Sequence, residues 1–110
     1  MEASHIEPFM PLDDEFVVKG RSGVSVLKNS TLDPFLRNCD VNTLFLLGFA
    51  THVCVESTLR EAHDLSFNAC VVHDGCAEFE TTQHDHVRRH VIHHFGDKVS
   101  VSDLIEKMEE

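Results

Sequence analysis

A chain of 110 residues is long enough for one small domain, and its 19 acidic against 9 basic side chains leave a net charge of −10 with histidine neutral. A surface of that sign repels phosphate backbones and anionic headgroups, which excludes nucleic acid and the membrane as partners. No run approaches the ~20 apolar residues of a membrane span, the opening MEASHIEPFM lacks the regions of a signal peptide, and the four cysteines form no CxxC pair, so a cytoplasmic protein with reduced thiols and no metal is expected.

Residues 1–12 hold two of the three prolines and read as an irregular lead into a single domain over 1–110. Phe16, Val17 and Val18, closed by Lys19, predict a strand over 15–19, and GRSGVSVLKNS over 20–30 reads as a loop. A helix over 31–38 carries Leu32 and Leu36. Leu44, Phe45, Leu46 and Leu47 form a short apolar run ended by Gly48, which predicts a strand over 43–48 buried on both faces of a parallel sheet. Thr51 is a candidate N-cap for a helix over 51–65, in which Val55, Leu59 and Ala62 recur at helical spacing and Glu56 and Glu61 favour helix by propensity. Strands over 68–72 and 98–101 and helices over 82–94 and 102–108 complete an alternation that places the chain in the α/β class with a parallel sheet.

The strand-to-helix junction at 48–54 sets Cys54 in the opening turn of a helix. Unpaired backbone N–H groups and the positive end of the helix dipole stabilise a thiolate there, and the same N–H groups can receive the oxyanion formed when a carbonyl is attacked. A cysteine on an apolar face is also an ordinary small core residue, and a strand-end lysine such as Lys19 an ordinary solvated cation.

Gly48 to Thr58, GFATHVCVEST, resembles the G-x-A-T-x-x-C-V-x-x-T signature of the isochorismatase-like cysteine hydrolases, the group that includes nicotinamidases, isochorismatases and carbamoylsarcosine amidases. Arg60-Glu61-Ala62 is similar to the continuation of that helix, and ACVVHDGCA over 69–77 to the family's next strand and its Asp-Ala/Gly-Cys-Ala turn. Phe16 to Lys19, with Leu32, Leu36 and Arg37, resembles the lysine strand and the L-x-x-x-L-R helix, so the likeness extends over the chain from about Asp14. It implies a three-layer α/β/α, Rossmann-like fold and a catalytic Asp, Lys and Cys. Carried over, Cys54 is the nucleophile and Lys19 the cation that stabilises its thiolate. The family's non-proline cis peptide maps to Phe49-Ala50, and the oxyanion hole to Ala50 and Cys54. Thr51 and His52, beside the nucleophile, are the candidate substrate contacts; no cofactor is implied.

The resemblance also marks departures. The family's aspartate lies on a first, central strand ahead of every segment matched here, so the domain reads as incomplete, and an open sheet edge predicts a homo-oligomer. Asp13 and Asp14 fall at the acidic turn before the lysine strand and read as a polar loop rather than as the catalytic acid. The 20–30 loop replaces the family's aromatic by Val24 or Val26 and is longer, which bears on the identity of the small-molecule substrate. His86, His90 and His94 fall at successive i, i+4 steps, yet no acidic or thiol partner completes a metal set, and they read as a solvated helix face. His52 reads equally as a surface residue of the first turn, and Asp74 as a turn former; Cys39 and Cys70 are packing or surface residues, with Cys76 open. Two functions follow: a hydrolase that cuts the C–N bond of a small amide, or the vinyl ether of isochorismate, and a catalytically silent binding or assembly module.

Overall fold

The computed structural model describes residues 10, 12–20 and 23–109, so most of the 1–12 lead and two positions of the 20–30 loop lie outside the described residues. Its sheet is parallel and ordered β1-β2-β3, with β1 at Thr43–Phe49, β2 at Asn68–Ala77 and β3 at Asp97–Val99. Helix α1 (Leu32–Asn38) precedes β1. A five-residue π-helical turn, Thr51–Val55, leads from β1 into α2 (Glu56–Asp64); α3 (Thr81–His86), a second wide turn at Val87–Val91 and α4 (Ile92–Phe95) separate β2 from β3, and α5 (Val101–Met108) follows β3. The α/β alternation expected from the pattern is present.

Val55, Leu59 and Ala62 form one stripe of the helix after β1, and that stripe packs on Ala69 and Val71 of β2 and on Val87, Val91 and Ile92 of the next helical segment. Leu59, Ala62 and Val71 are fully buried. Alternate β2 residues face opposite ways, so Cys70 and Val72, also buried but outside that cluster, point to the side on which α5 packs against β2. Helices therefore cover both faces of the sheet, as three layers require.

Gly96 closes α4 against β2. A Cβ at this position would stand 2.2 Å from the Ala69 carbonyl oxygen and 3.0 Å from its carbon, both backbone atoms that cannot swing aside. Gly96→Ala is expected to destabilise the fold by about 3 kcal/mol, at the upper end of overpacking costs, as read by urea denaturation. An alanine variant with an unchanged midpoint would show that the α4 to β3 turn can retreat from β2.

Several predicted boundaries are corrected. Residues 15–19 belong to no sheet, Glu15 forming a bend: Lys19 N–H donates to Thr31 Oγ1 at 3.1 Å, Thr31 N–H donates to the Lys19 carbonyl at 3.0 Å, and Phe16 stacks on Phe35 at 3.8 Å. A strand needs a ladder neighbour, and that stretch finds its partners in α1 and the residue before it. β1 is not buried on both faces: Leu44 and Leu46 pack half-buried against the core cluster, whereas Phe45 and Leu47, on the opposite face, are exposed. The expected strand over 68–72 runs on to Ala77. From Leu46↔Val71 to Gly48↔Cys76 the register advances two residues in β1 and five in β2, so His73, Asp74 and Gly75 form a bulge rather than a terminating turn. The Asp74 carboxylate in that bulge accepts the Val101 N–H at 2.7 Å and anchors the start of α5. Ser100 ends β3 earlier than expected because its hydroxyl caps α5, accepting the Asp103 N–H at 3.1 Å. The helix expected over 82–94 runs from Thr81 to Phe95 and widens at Val87–Val91; Val87 and Val91 of the wide turn and Ile92 after it enter the core. Among the described residues no helix is long and apolar enough to cross a membrane.

Candidate active site

Cys54 stands in the π-helical turn beyond the C-terminal end of β1, the end at which parallel α/β sheets place their sites. The Ala50 carbonyl accepts the N–H groups of Val53 and Val55, each at 3.2 Å, and passes over that of Cys54. Ala50 is buried, and the Phe49-Ala50 peptide bond is cis. The Cys54 side chain is half-buried and, with Phe49, Val55 and Thr58, lines a cavity of about 620 Å³ bounded by β1, α1 and Val26. Of the two valines proposed to replace the family aromatic, Val26 therefore faces the site, while Val24 is exposed. The loop is tied to α2 by Val26 N–H donating to Thr58 Oγ1 at 3.0 Å and by Ser25 Oγ donating to Glu61 Oε1 at 2.8 Å.

Lys19 is exposed and does not line that cavity. Thr51 is not the N-cap; Ala50 occupies that position and offers no side-chain cap. The Thr51 hydroxyl, 1 % exposed, donates to the Ala77 carbonyl at 3.1 Å and lies 2.9 Å from His84 Nδ1, so burial removes it from the substrate contact expected of it. His52 is engaged as well. Its N–H donates to Glu78 Oε1 at 2.8 Å, and its Nδ1 meets the same oxygen. Burial raises the Glu78 carboxyl's proton affinity, but the two hydrogen bonds from His52, its positive charge and the Phe79 N–H outweigh it, leaving the pKa below the usual glutamate range.

The other thiols differ from Cys54 in setting. Burial, with the nearby Asp97, pushes the Cys70 thiol above its ordinary pKa. Burial likewise raises Cys76, whose Sγ lies 3.3 Å from the Val72 carbonyl. Cys39 is exposed just after α1. The His86 and His90 rings lie 5.3 Å apart across the wide turn at 87–91, and among the described residues no group of three or more His, Cys, Asp or Glu side chains is arranged to hold a metal.

Sequence reasoning missed Glu78 and His84, since both reach the Cys54 turn from across the sheet. The available signal was the run Gly48 to Ala50, which offers no capping side chain at the position where the helix starts.

The family model for the isochorismatase domain matches residues 2–103. Among curated proteins, an uncharacterized isochorismatase family protein of Escherichia coli O157:H7 is 31 % identical over 70 residues, 64 % of this chain and 37 % of its own length. The ureidoacrylate amidohydrolase of Variovorax paradoxus is 42 % identical over 62 residues, 56 % of this chain and 25 % of its own. The chain thus spans well under half of these relatives. In three dimensions it superposes on an isochorismatase-like hydrolase from Alkaliphilus metalliredigens with a TM-score of 0.88 at 24 % identity, over 96 % of this chain and 57 % of that one, a likeness of fold. With a domain match over nearly the whole chain and a parallel sheet that delivers Cys54 to its C-terminal edge, the chain belongs to the isochorismatase family.

Proposed function

We propose that this chain carries the nucleophile of a hydrolase that cleaves the C–N bond of a small amide through a thioester at Cys54. The observation that carries the reading is the placement of Cys54: a half-buried thiol in the wide turn after β1, on the wall of a cavity, with an N–H that the Ala50 carbonyl passes over. In the proposed reaction the Cys54 thiolate attacks the amide carbonyl and forms the C–S bond. The N–H groups of Ala50 and Cys54 receive the oxyanion. Collapse breaks the C–N bond, the amine leaves with a proton, and water cleaves the thioester to release the acid and restore the thiol. Lys19 is the cation that the family resemblance assigns to the sulfur, although here its side chain is exposed and does not line the cavity. The proton of the leaving amine needs a general acid, a role the resemblance gives to an aspartate; without such an acid, turnover falls by about 10²–10⁴.

A relative named as a ureidoacrylate amidohydrolase makes carbamoyl and related amides the first substrates to try, with nicotinamide next and isochorismate as the vinyl-ether alternative. Hydrolysis of any amide in this panel, lost in Cys54→Ala, supports the proposal; turnover confined to isochorismate or independent of the thiol overturns it. Lys19 lying off the cavity that Cys54 lines favours a second reading, a silent binding or assembly module in a cytoplasmic complex. Phe45, Leu47 and Phe49, all exposed on edge strand β1, support self-association in either case. Light scattering is expected to give the mass of a dimer or larger, and a clean monomer at micromolar concentration would remove that expectation.

A further inference from the structure

The turn that presents Cys54 has no cap of its own, and two side chains from the far side of β2 supply what it lacks. Ala50, at the N-cap position, makes no side-chain hydrogen bond, and its carbonyl serves Val53 and Val55, so the His52 N–H gets no acceptor from the cap. Glu78, the residue after β2, provides one from 26 positions away: its Oε1 accepts the His52 N–H at 2.8 Å and binds the His52 ring through Nδ1. The Glu78 side chain is 2 % exposed, so this carboxylate is built into the site rather than lying on the surface. A carboxylate at a helix start is also favoured by the helix dipole. The second brace is His84 of α3. The Thr51 hydroxyl proton goes to the Ala77 carbonyl, so the 2.9 Å contact with His84 is one in which the ring Nδ1–H donates to Thr51 Oγ1.

We infer that Glu78 and His84 are positioning residues for the nucleophile, together holding the Thr51–Val55 turn in the wide form that presents Cys54. This rests on the reading of Cys54 as the nucleophile. Neither group is catalytic. Residues two apart on a helix do not face each other, so the His52 ring that Glu78 grips is turned away from the Cys54 thiol, and Glu78 acts through the backbone of the turn. The wide turn is a geometry that a helix leaves readily for the ordinary α form, and its anchoring from two sides is what the local sequence cannot provide.

The test uses the full chain with Glu78→Ala, Glu78→Gln and His84→Ala, and two readouts. The first is hydrogen exchange of a peptide covering 51–56, followed by mass spectrometry. The second is the rate of Cys54 alkylation by iodoacetamide relative to exposed Cys39, measured from pH 6 to 9. Glu78→Ala and His84→Ala are each expected to speed exchange in the turn at least about tenfold and to cut the Cys54 to Cys39 ratio at least about fivefold. Glu78→Gln keeps an oxygen for the His52 N–H and is expected to stay within about twofold of the parent in both. Should Glu78→Ala not fold, Glu78→Asp, one methylene too short to reach His52, carries the same expectation. Unchanged exchange in the turn with either shortened variant overturns the inference. A parent whose Cys54 labels no faster than Cys39 overturns the thioester reading instead, while the exchange measurement still decides the role of the brace.

Discussion

Iodoacetamide near pH 6.5 is expected to label Cys54 at least about tenfold faster than Cys39, with Cys70 and Cys76 slower still, and urea is expected to abolish the preference. The four thiols differ in ways that make the order informative. Cys70 is buried and its proton is held by burial and by Asp97. Cys76 is held by burial. Cys39 is exposed and stands for an ordinary surface thiol. Cys54 is less exposed than Cys39, so access alone would make it the slower of the two. A faster Cys54 therefore reports the chemistry of its turn and not its exposure. The companion experiment removes the sulfur: no thioester can form in Cys54→Ala, and amide hydrolysis is expected to fall at least about 10³-fold, as when other covalent nucleophiles are deleted. Faster labelling of Cys39, or hydrolysis that survives the alanine, would leave Cys54 as a small core residue.

The parts of this architecture that could be read from the sequence are those fixed by short-range pattern. Leu44 to Leu47 point to β1 because a short apolar run closed by Gly48 fits a strand, and Val55, Leu59 and Ala62 announce α2 by their spacing. The same local logic misled where pairing decides. Phe16 to Lys19 have strand composition, but the Lys19 N–H and carbonyl bond to Thr31, and Phe16 spends its ring on Phe35. His73, Asp74 and Gly75 look like a turn, yet β2 resumes after them because Cys76 and Ala77 still find Gly48 and Phe49 across the ladder. Cys54, the proposed nucleophile, was marked in the sequence by its turn and its motif. Its supports were not, since Glu78 and His84 lie 26 and 33 residues from the side chains they hold, a separation that only the folded sheet closes.

Leu59→Ala is expected to lower stability by about 4 kcal/mol and the melting temperature by roughly 20 °C. Leu59 is 0 % exposed and sits where the α2 stripe, β2 and the helical segment around Val87 to Ile92 converge. Its Cδ1 also lies 3.4 Å from the place a Cβ on Gly96 would take, so the side chain fills the corner at which α4 turns toward β3. Three elements meeting on one residue cannot all move inward to fill the space of three lost heavy atoms, which puts the cost in the upper half of the range for leucine truncations. A domain with a total stability of about 5–15 kcal/mol would lose much of it. Val55 belongs to the same cluster and directly follows Cys54, so loosening α2 also loosens the nucleophile's turn, and Cys54 labelling should lose its preference below the temperature of global melting. Leu59→Met keeps nearly the same volume and is expected to cost less than about 1.5 kcal/mol. Thermal and urea melts of the two variants beside the parent decide the matter: an alanine variant that melts within a few degrees of the methionine one would mean that the core closes over the gap, and that α2 is not seated on the sheet through Leu59.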